Sequence, residues 1–451
     1  MPSGTSVVET VASRREPAPS RPAPDPPSDP RRPAPAWPAA LAVAVYTLLA
    51  VLVWIHVWTG DPRAVASCGC GDPALTTWFL EWPAYALAHW ANPLYSTALF
   101  HPAGVNLLSN TGFLAIGVPL APITWLAGPV ATLNVAATLL PVASATAAYF
   151  LVARWSSWAP AAFVGGLLYG FSPFLLDNLA GGHLNLAGLF VLPLLVGQLD
   201  ELFVRQRARP ARTGALLALL AVVQFFLSTE MLVVTAIAAV VGLAVLAAIG
   251  VVRGPPDVAR RLRRARPGMV TAVVATVAVL AYPTWFALWG PAHLSGAVWP
   301  ASTGLDQYTP TDLLAPFPGA WWGNTLKLWG YFGPVLPSEV FCGLGTVAVA
   351  LAGLAVWRRD LRLWLFGIVG LVTAALAMGT GGQPWAPWRL FGSLPLLENV
   401  IQSRFIVVTY LCLAVMVGVT LDRVHTALRQ RPEGRSPAAH HRPGHHQAVH
   451  H

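Results

Sequence analysis

The sequence predicts an all-α polytopic membrane protein, and three observations carry that class. The 451 residues are 55% hydrophobic and only 10% charged, with a mean hydropathy of +0.58; a soluble domain carries about 25% charged residues. Apolar segments recur at about the length a bilayer crossing needs, roughly 20 residues. The arginines fall in short clusters between those segments, so the formal charge of +9 reads as an orientation signal. That placement argues against a nucleic-acid partner.

Residues 1–36 are rich in Pro, Ser, Ala and Arg without apolar periodicity, and are predicted to be a disordered cytoplasmic tail. No signal peptide is expected, because the first apolar run starts near Trp37 and is itself as long as a span. About ten transmembrane helices follow, at 38–58, 130–153, 158–176, 186–204, 213–229, 231–252, 269–288, 338–357, 363–379 and 401–421, within a membrane domain of 37–421. The tail 422–451 is basic and His-rich. His pairs such as His440 and His441 have the composition of metal-binding tracts, although a disordered cytoplasmic tail with incidental histidines is the plainer expectation.

The arginines test this count. Clusters precede the first span (Arg14, Arg15, Arg21, Arg31, Arg32) and follow the second (Arg154), the fourth (205–212), the sixth (253–266), the eighth (358–362) and the tenth (423–442). All fall on one side, the cytoplasm, only if the short, proline-interrupted segment 112–128 is a skimming or re-entrant element rather than a full crossing. Both termini are then cytoplasmic in a multi-pass plasma (inner) membrane protein. The outer face receives a large first loop, 59–129, with surface helices, the loops 289–337 and 380–400, and a short loop 177–185. Tryptophans crowd these loops (among them Trp78, Trp82, Trp90, Trp125, Trp289, Trp385 and Trp388). They read as an interfacial aromatic belt, or as a groove stacking on sugar or lipid.

Ionisable residues facing outward are scarce, and a charge near hydrocarbon costs several kcal/mol unless paired or hydrated. Asp72, in Gly71-Asp72-Pro73, precedes an amphipathic run from Ala74 to His89 with Trp78, Trp82 and Tyr85 at helical spacing. It reads as a helix N-cap or as a general base for an acceptor hydroxyl. Asp61 is a second carboxylate beside the first span, Glu81 lies on the surface helix, and His101 stands in the same loop. Asp177 and His183 bracket the short loop 177–185. Arg404 enters the last span on the outer side against the charge rule. It therefore needs a partner: a phosphate, Glu398 or a lipid headgroup. Cys68 and Cys70 either form an unusually tight disulfide or remain thiols. The sequence contains no Walker, dinucleotide-fingerprint, HExxH or GxSxG motif, which argues against an ATP-driven pump and a soluble-type hydrolase.

The early loop aspartate, the surface helix, Asn92-Pro93-Leu94, the run 100–106 (FHPAGVN) and the skimming segment before a span ending in Ala153-Arg154 resemble the GT-C superfamily of integral-membrane glycosyltransferases, near the protein mannosyl- and lipid aminoarabinose-transferase types. The resemblance covers roughly 38–421. It implies an inverting transfer on the outer face, from a polyprenyl-phosphate sugar donor to a glycan, lipid or protein acceptor of the cell envelope. By the same resemblance Asp72 is the base and Arg404 holds the donor phosphate; Asp61, Glu81, His101, Asp177 and His183, from their place on the outer face, are the further candidates for substrate binding. No organic cofactor is implied. The family admits a divalent metal, but the sequence shows no ligand set for one. The competing expectations are a transporter or flippase of a lipid-linked glycan and a non-catalytic scaffold of the same fold.

Overall fold

The computed structural model describes residues 36–65, 71–109, 112–296, 308–314, 339–379, 385–390, 392, 394 and 397–430, with the backbone alone at Gly71, Asp72, Arg253, Pro255 and Pro256. The expectations for both tails, for Cys68 and Cys70, and for most of 289–337 lie outside the described residues, as does the Asp72 side chain.

Each predicted apolar segment overlaps a helix. Among the described residues, seven helical stretches are long and apolar enough to cross a membrane: Pro129–Ala153, Ala159–Ala180, Leu184–Arg205, Pro210–Leu227, Thr229–Val252, Asp257–Trp289 and Gln402–Arg429. Four apolar helices are shorter: α1 (Trp37–Val53), α4 (Leu114–Ala127), α13 (Leu344–Val356) and α14 (Leu361–Ala377). The sheet is a two-residue hairpin in which Tyr95 pairs with Asn106 and Ser96 with Val105. The chain is thus an all-α multi-pass membrane protein.

Two helices form the centre. α5 (Pro129–Ala153) buries 67% of its apolar stretch and the one ending in α15 (Ile406–Arg429) buries 83%, against 17% for α11 (Thr229–Arg253) and for α12 (Pro255–Trp289). The first pair is core and the second faces lipid. α6 (Ala159–Gly170) packs on both α5 and α15. Its last residue must be small, since a Cβ on Gly170 would lie 2.4 Å from the Ala145 backbone nitrogen. Close approach of backbones through small residues is how helices associate without a hydrophobic drive.

Several predicted spans are broken. α1 stops at Trp54, before the short α2 (Ile55–Thr59). The third span divides at Phe171-Ser172-Pro173 into α6 and α7 (Pro173–Ala180), and the fourth into α8 (Leu184–Ala187), α9 (Val191–Leu199) and a π-helical turn, Asp200–Arg205. Proline inside a helix removes the N–H that would serve the carbonyl four residues back. Pro141 in α5 orphans Ala137, and the Trp54 indole donates to that carbonyl at 3.1 Å. Ahead of α9, whose first turn contains Pro193, the Leu189 carbonyl accepts from the Leu192 N–H at 3.3 Å and from the Tyr169 hydroxyl at 3.0 Å.

At one end of the bundle the arginine clusters meet. Arg154 pairs with Asp200 at 3.1 Å and Glu201 at 3.2 Å, and Arg205 with Asp200 at 2.7 Å. Asp360, between α13 and α14, takes Arg362 at 2.7 Å and Arg423 at 2.8 Å. Asp422 accepts from the backbone of Ser157 and Trp158 at 2.9 Å each. Arg264 donates to the Gln206 carbonyl at 2.8 Å, from a helix where a loop was expected, because α12 starts at Pro255.

Burial would raise the Asp360 carboxyl, but hydrogen bonds from Arg362 and Arg423 outweigh it and hold it at about 2. A carboxyl held below its unfolded value of about 4 stabilises the fold above that value and loses the contribution as pH falls toward 2. Asp360→Asn is expected to lower the melting temperature in detergent at neutral pH and to flatten its fall between about pH 4 and 2, as followed by circular dichroism.

Candidate functional site

At the other end, the break at Phe171-Ser172-Pro173 builds a turn. The residue before proline is driven out of the helical region, and Ser172 is extended at φ −65°, ψ 151°. Proline then starts α7, which carries Asp177, so the predicted loop 177–185 contracts to a turn at 181–183. Gly182 closes that turn at φ +81°, with its N–H on the Leu179 carbonyl at 3.0 Å, and the His183 N–H reaches the Asn178 carbonyl at 2.7 Å.

This turn receives the start of α3 (Gly71–His89). A Cβ on Gly182 would lie 2.9 Å from Pro73 Cγ and 3.0 Å from Pro73 N, and the Thr76 hydroxyl donates to the Gly182 carbonyl at 2.7 Å. Pro73 N is bonded to the carbonyl carbon of Asp72, so the Asp72 backbone is held against the turn bearing His183.

Further polar groups gather around α7. Asp177 is exposed, with the His183 imidazole in electrostatic reach. Asn178, buried, donates to the Phe174 carbonyl at 2.9 Å and to Glu339 Oε2 at 3.3 Å, and the Tyr308 hydroxyl donates to Glu339 Oε1 at 3.2 Å. From α15, the Tyr410 hydroxyl lies 2.8 Å from the carbonyls of both Glu339 and Phe341, and within electrostatic range of Asp177, Tyr308 and Cys342. The patch thus joins two carboxylates, an imidazole and two phenols to the Asp72 backbone. Such a set can exchange protons with a bound hydroxyl and accept or donate hydrogen bonds to a polyol. Among the described residues, no three His, Cys, Asp or Glu converge as a metal site.

Arg404 lies in the 3₁₀ turn Gln402–Phe405 that leads into α15, six residues before Tyr410. Its carboxylate partner is Glu230 in the first turn of α11, rather than Glu398. The other Glu230 oxygen accepts from the Ile401 N–H at 2.7 Å. Both side chains are mostly covered, at 15% and 20% exposure, so the charges neutralise each other away from water.

The remaining predicted residues, Asp61, Glu81 and His101, have other surroundings among the described residues. Asp61 is exposed and accepts from the Arg63 N–H at 2.9 Å, in a turn that the buried Asn134 ties to α5 through the Pro62 and Val65 carbonyls at 2.8 and 2.7 Å. Glu81 is exposed on α3, beside a ladder of rings in which Trp78 stacks on Trp82 at 5.8 Å, Trp82 on Tyr85 at 5.4 Å and Tyr85 on His89 at 4.1 Å. His101 is exposed in the loop of the hairpin. Trp388, expected in the belt, is buried against Phe405 at 5.4 Å.

Asn178, Tyr308 and Tyr410 are the residues that sequence reasoning passed over. Tyr410 had one signal, a polar group inside an uninterrupted apolar span. Comparison of the chain with family models, with curated proteins and with solved structures gave no match.

Arg404→Gln leaves a largely covered carboxylate unpaired and is expected to cost about 3–5 kcal/mol, most of it recovered in the Glu230→Gln/Arg404→Gln double variant, read by denaturant unfolding in detergent. Gly182→Ala combines a positive φ with a clash on Pro73. It is expected to cost about 1–3 kcal/mol and to speed amide exchange over the first turns of α3.

Proposed function

We propose that the chain is an integral-membrane glycosyltransferase of the GT-C kind, which moves a sugar from a polyprenyl-phosphate donor to a hydroxyl-bearing acceptor of the cell envelope. The observation that carries this reading is the docking of the α3 start, with Asp72, onto the turn bearing His183, beside Asp177 and Glu339. The acceptor hydroxyl attacks the anomeric carbon, Asp72 takes its proton, and the polyprenyl phosphate departs with the bonding electron pair, inverting the centre. Asp177, His183 and Glu339 orient the sugar hydroxyls. Arg404 receives the donor phosphate. Its guanidinium has five N–H groups, so the contact with Glu230 leaves donors for a second anion.

The orientation is part of the proposal. The junctions after the second, fourth, sixth, eighth and tenth predicted spans meet at one end of the bundle, which supports ten crossings with both termini in the cytoplasm. α4, at 14 residues, is about 21 Å long and shorter than the roughly 30 Å hydrocarbon core, in keeping with a re-entrant element. A flippase would place its ionisable residues near the midplane, and this patch gathers at the end of the bundle opposite the arginines.

In proteoliposomes supplied with a polyprenyl-phosphate sugar and acceptor, Asp72→Asn is expected to reduce turnover at least about 100-fold and Glu339→Gln about tenfold. Unchanged turnover in a folded Asp72→Asn variant overturns the assignment. Movement of the intact donor across the bilayer without cleavage identifies a flippase instead.

A further inference from the structure

The arginine-rich half of the bundle contains a cavity of about 470 Å³ between α9, α11, α14 and α15. Leu195, Leu243, Phe366 and Leu411 represent its four walls, and its polar end is formed by Trp155, Asp200, Arg205 and Arg362. The proposed transfer chemistry uses none of these residues. Water has too few polar partners along such walls to fill the space, and α11 stands mostly in lipid. The chemistry of the walls therefore calls for hydrocarbon, and that of the end for an anion.

We propose that this cavity binds one acyl chain of an anionic phospholipid from the leaflet at the arginine-rich end, with the phosphate at Arg205 and Arg362. The two side chains keep 21% and 34% exposure, which leaves their outer edges reachable. Arg205 commits Nε to Asp200 and one Nη to the Arg154 carbonyl. Arg362 commits Nε and one Nη to Asp360, and its other Nη lies 3.4 Å from the Trp155 carbonyl. Each fork has N–H groups beyond these, and a phosphodiester suits them. Around the mouth the guanidinium groups of Arg154, Arg205, Arg362 and Arg423 balance the carboxylates of Asp200, Glu201, Asp360 and Asp422. The exposed Arg358 and Arg359 then leave the rim positive, which favours an anionic headgroup over a zwitterionic one. Room for the chain is built at Gly242, where an added Cβ would meet only Val369 Cγ2, at 3.8 Å.

The test uses the full chain in phosphatidylcholine vesicles containing a trace of phosphatidylglycerol with a photoreactive acyl chain, or phosphatidylcholine carrying the same label. Crosslinked peptides are mapped by mass spectrometry. The glycerol lipid is expected to label α9, α11 and α14 about fivefold more than the choline lipid. Gly242→Phe should abolish that labelling without lowering the melting temperature, and Arg205→Gln/Arg362→Gln should bring the two lipids level. Equal labelling of the wild-type chain by both lipids overturns the headgroup assignment. Full labelling of Gly242→Phe overturns the site. Should Gly242→Phe fail to fold, Leu246→Phe fills the same space and is read in the same way.

Discussion

A carbonyl without a partner costs several kcal/mol in hydrocarbon, and this chain breaks its helices inside its spans. The folded arrangement depends on how those breaks are served. Pro141 strips the Ala137 carbonyl of its helical partner, and the Trp54 indole supplies the bond; at the break ahead of α9 the Tyr169 hydroxyl adds a second bond to the Leu189 carbonyl. These contacts do more than repair. Trp54 is the residue at which α1 gives way to α2, so the bond that completes α5 also fixes where the first span bends. Tyr169 lies near the end of α6, so its bond to the Leu189 carbonyl ties the break at 171–173 to the break at 188–190.

The two ends of the bundle then diverge in character. At one end ion pairs join different connections, Arg154 to Asp200 and Glu201 and Arg423 to Asp360, and others, Arg205 to Asp200 and Arg362 to Asp360, brace a single connection. The result is a stiff, nearly neutral frame. At the other end the charges are fewer and less evenly matched, with Asp177 exposed, the Glu339 carboxylate shared between the Asn178 amide and the Tyr308 phenol, and the start of α3 laid across the turn. The polar groups at the open end sit on helix ends whose opposite ends are clamped, so their positions are held by the braced side of the bundle.

Much of this was legible in the sequence. Hydropathy marks the apolar segments because a bilayer imposes a length on them, and arginine clusters mark one side because their cost depends on depth. Asp177 and His183 were legible as bracketing one short loop because they are close in the chain. What could not be read were contacts between remote segments. Nothing near Arg404 in the chain points to Glu230, which sits at a turn between two other spans. Nothing in the neighbourhood of Asn178 announces Glu339. The helix breaks were half visible: Pro173 signalled one, but the bend at Trp54 has no proline or glycine of its own and arises from the needs of α5. Trp388 was misplaced for a similar reason. Its position in a loop suggested the interface, and only Phe405 packing against it shows that it belongs to the core.

The Glu230–Arg404 pair also fixes an order of biogenesis. Synthesis proceeds from the N-terminus, so α11 carries its carboxylate into the bilayer long before the ribosome reaches the final helix. A lone guanidinium at the mouth of a greasy segment resists partitioning from the insertion channel, and here the counter-charge is already waiting at the depth where it is needed. α15 is thus received by a docking point made in advance, and the bundle closes around it on a charge already in place.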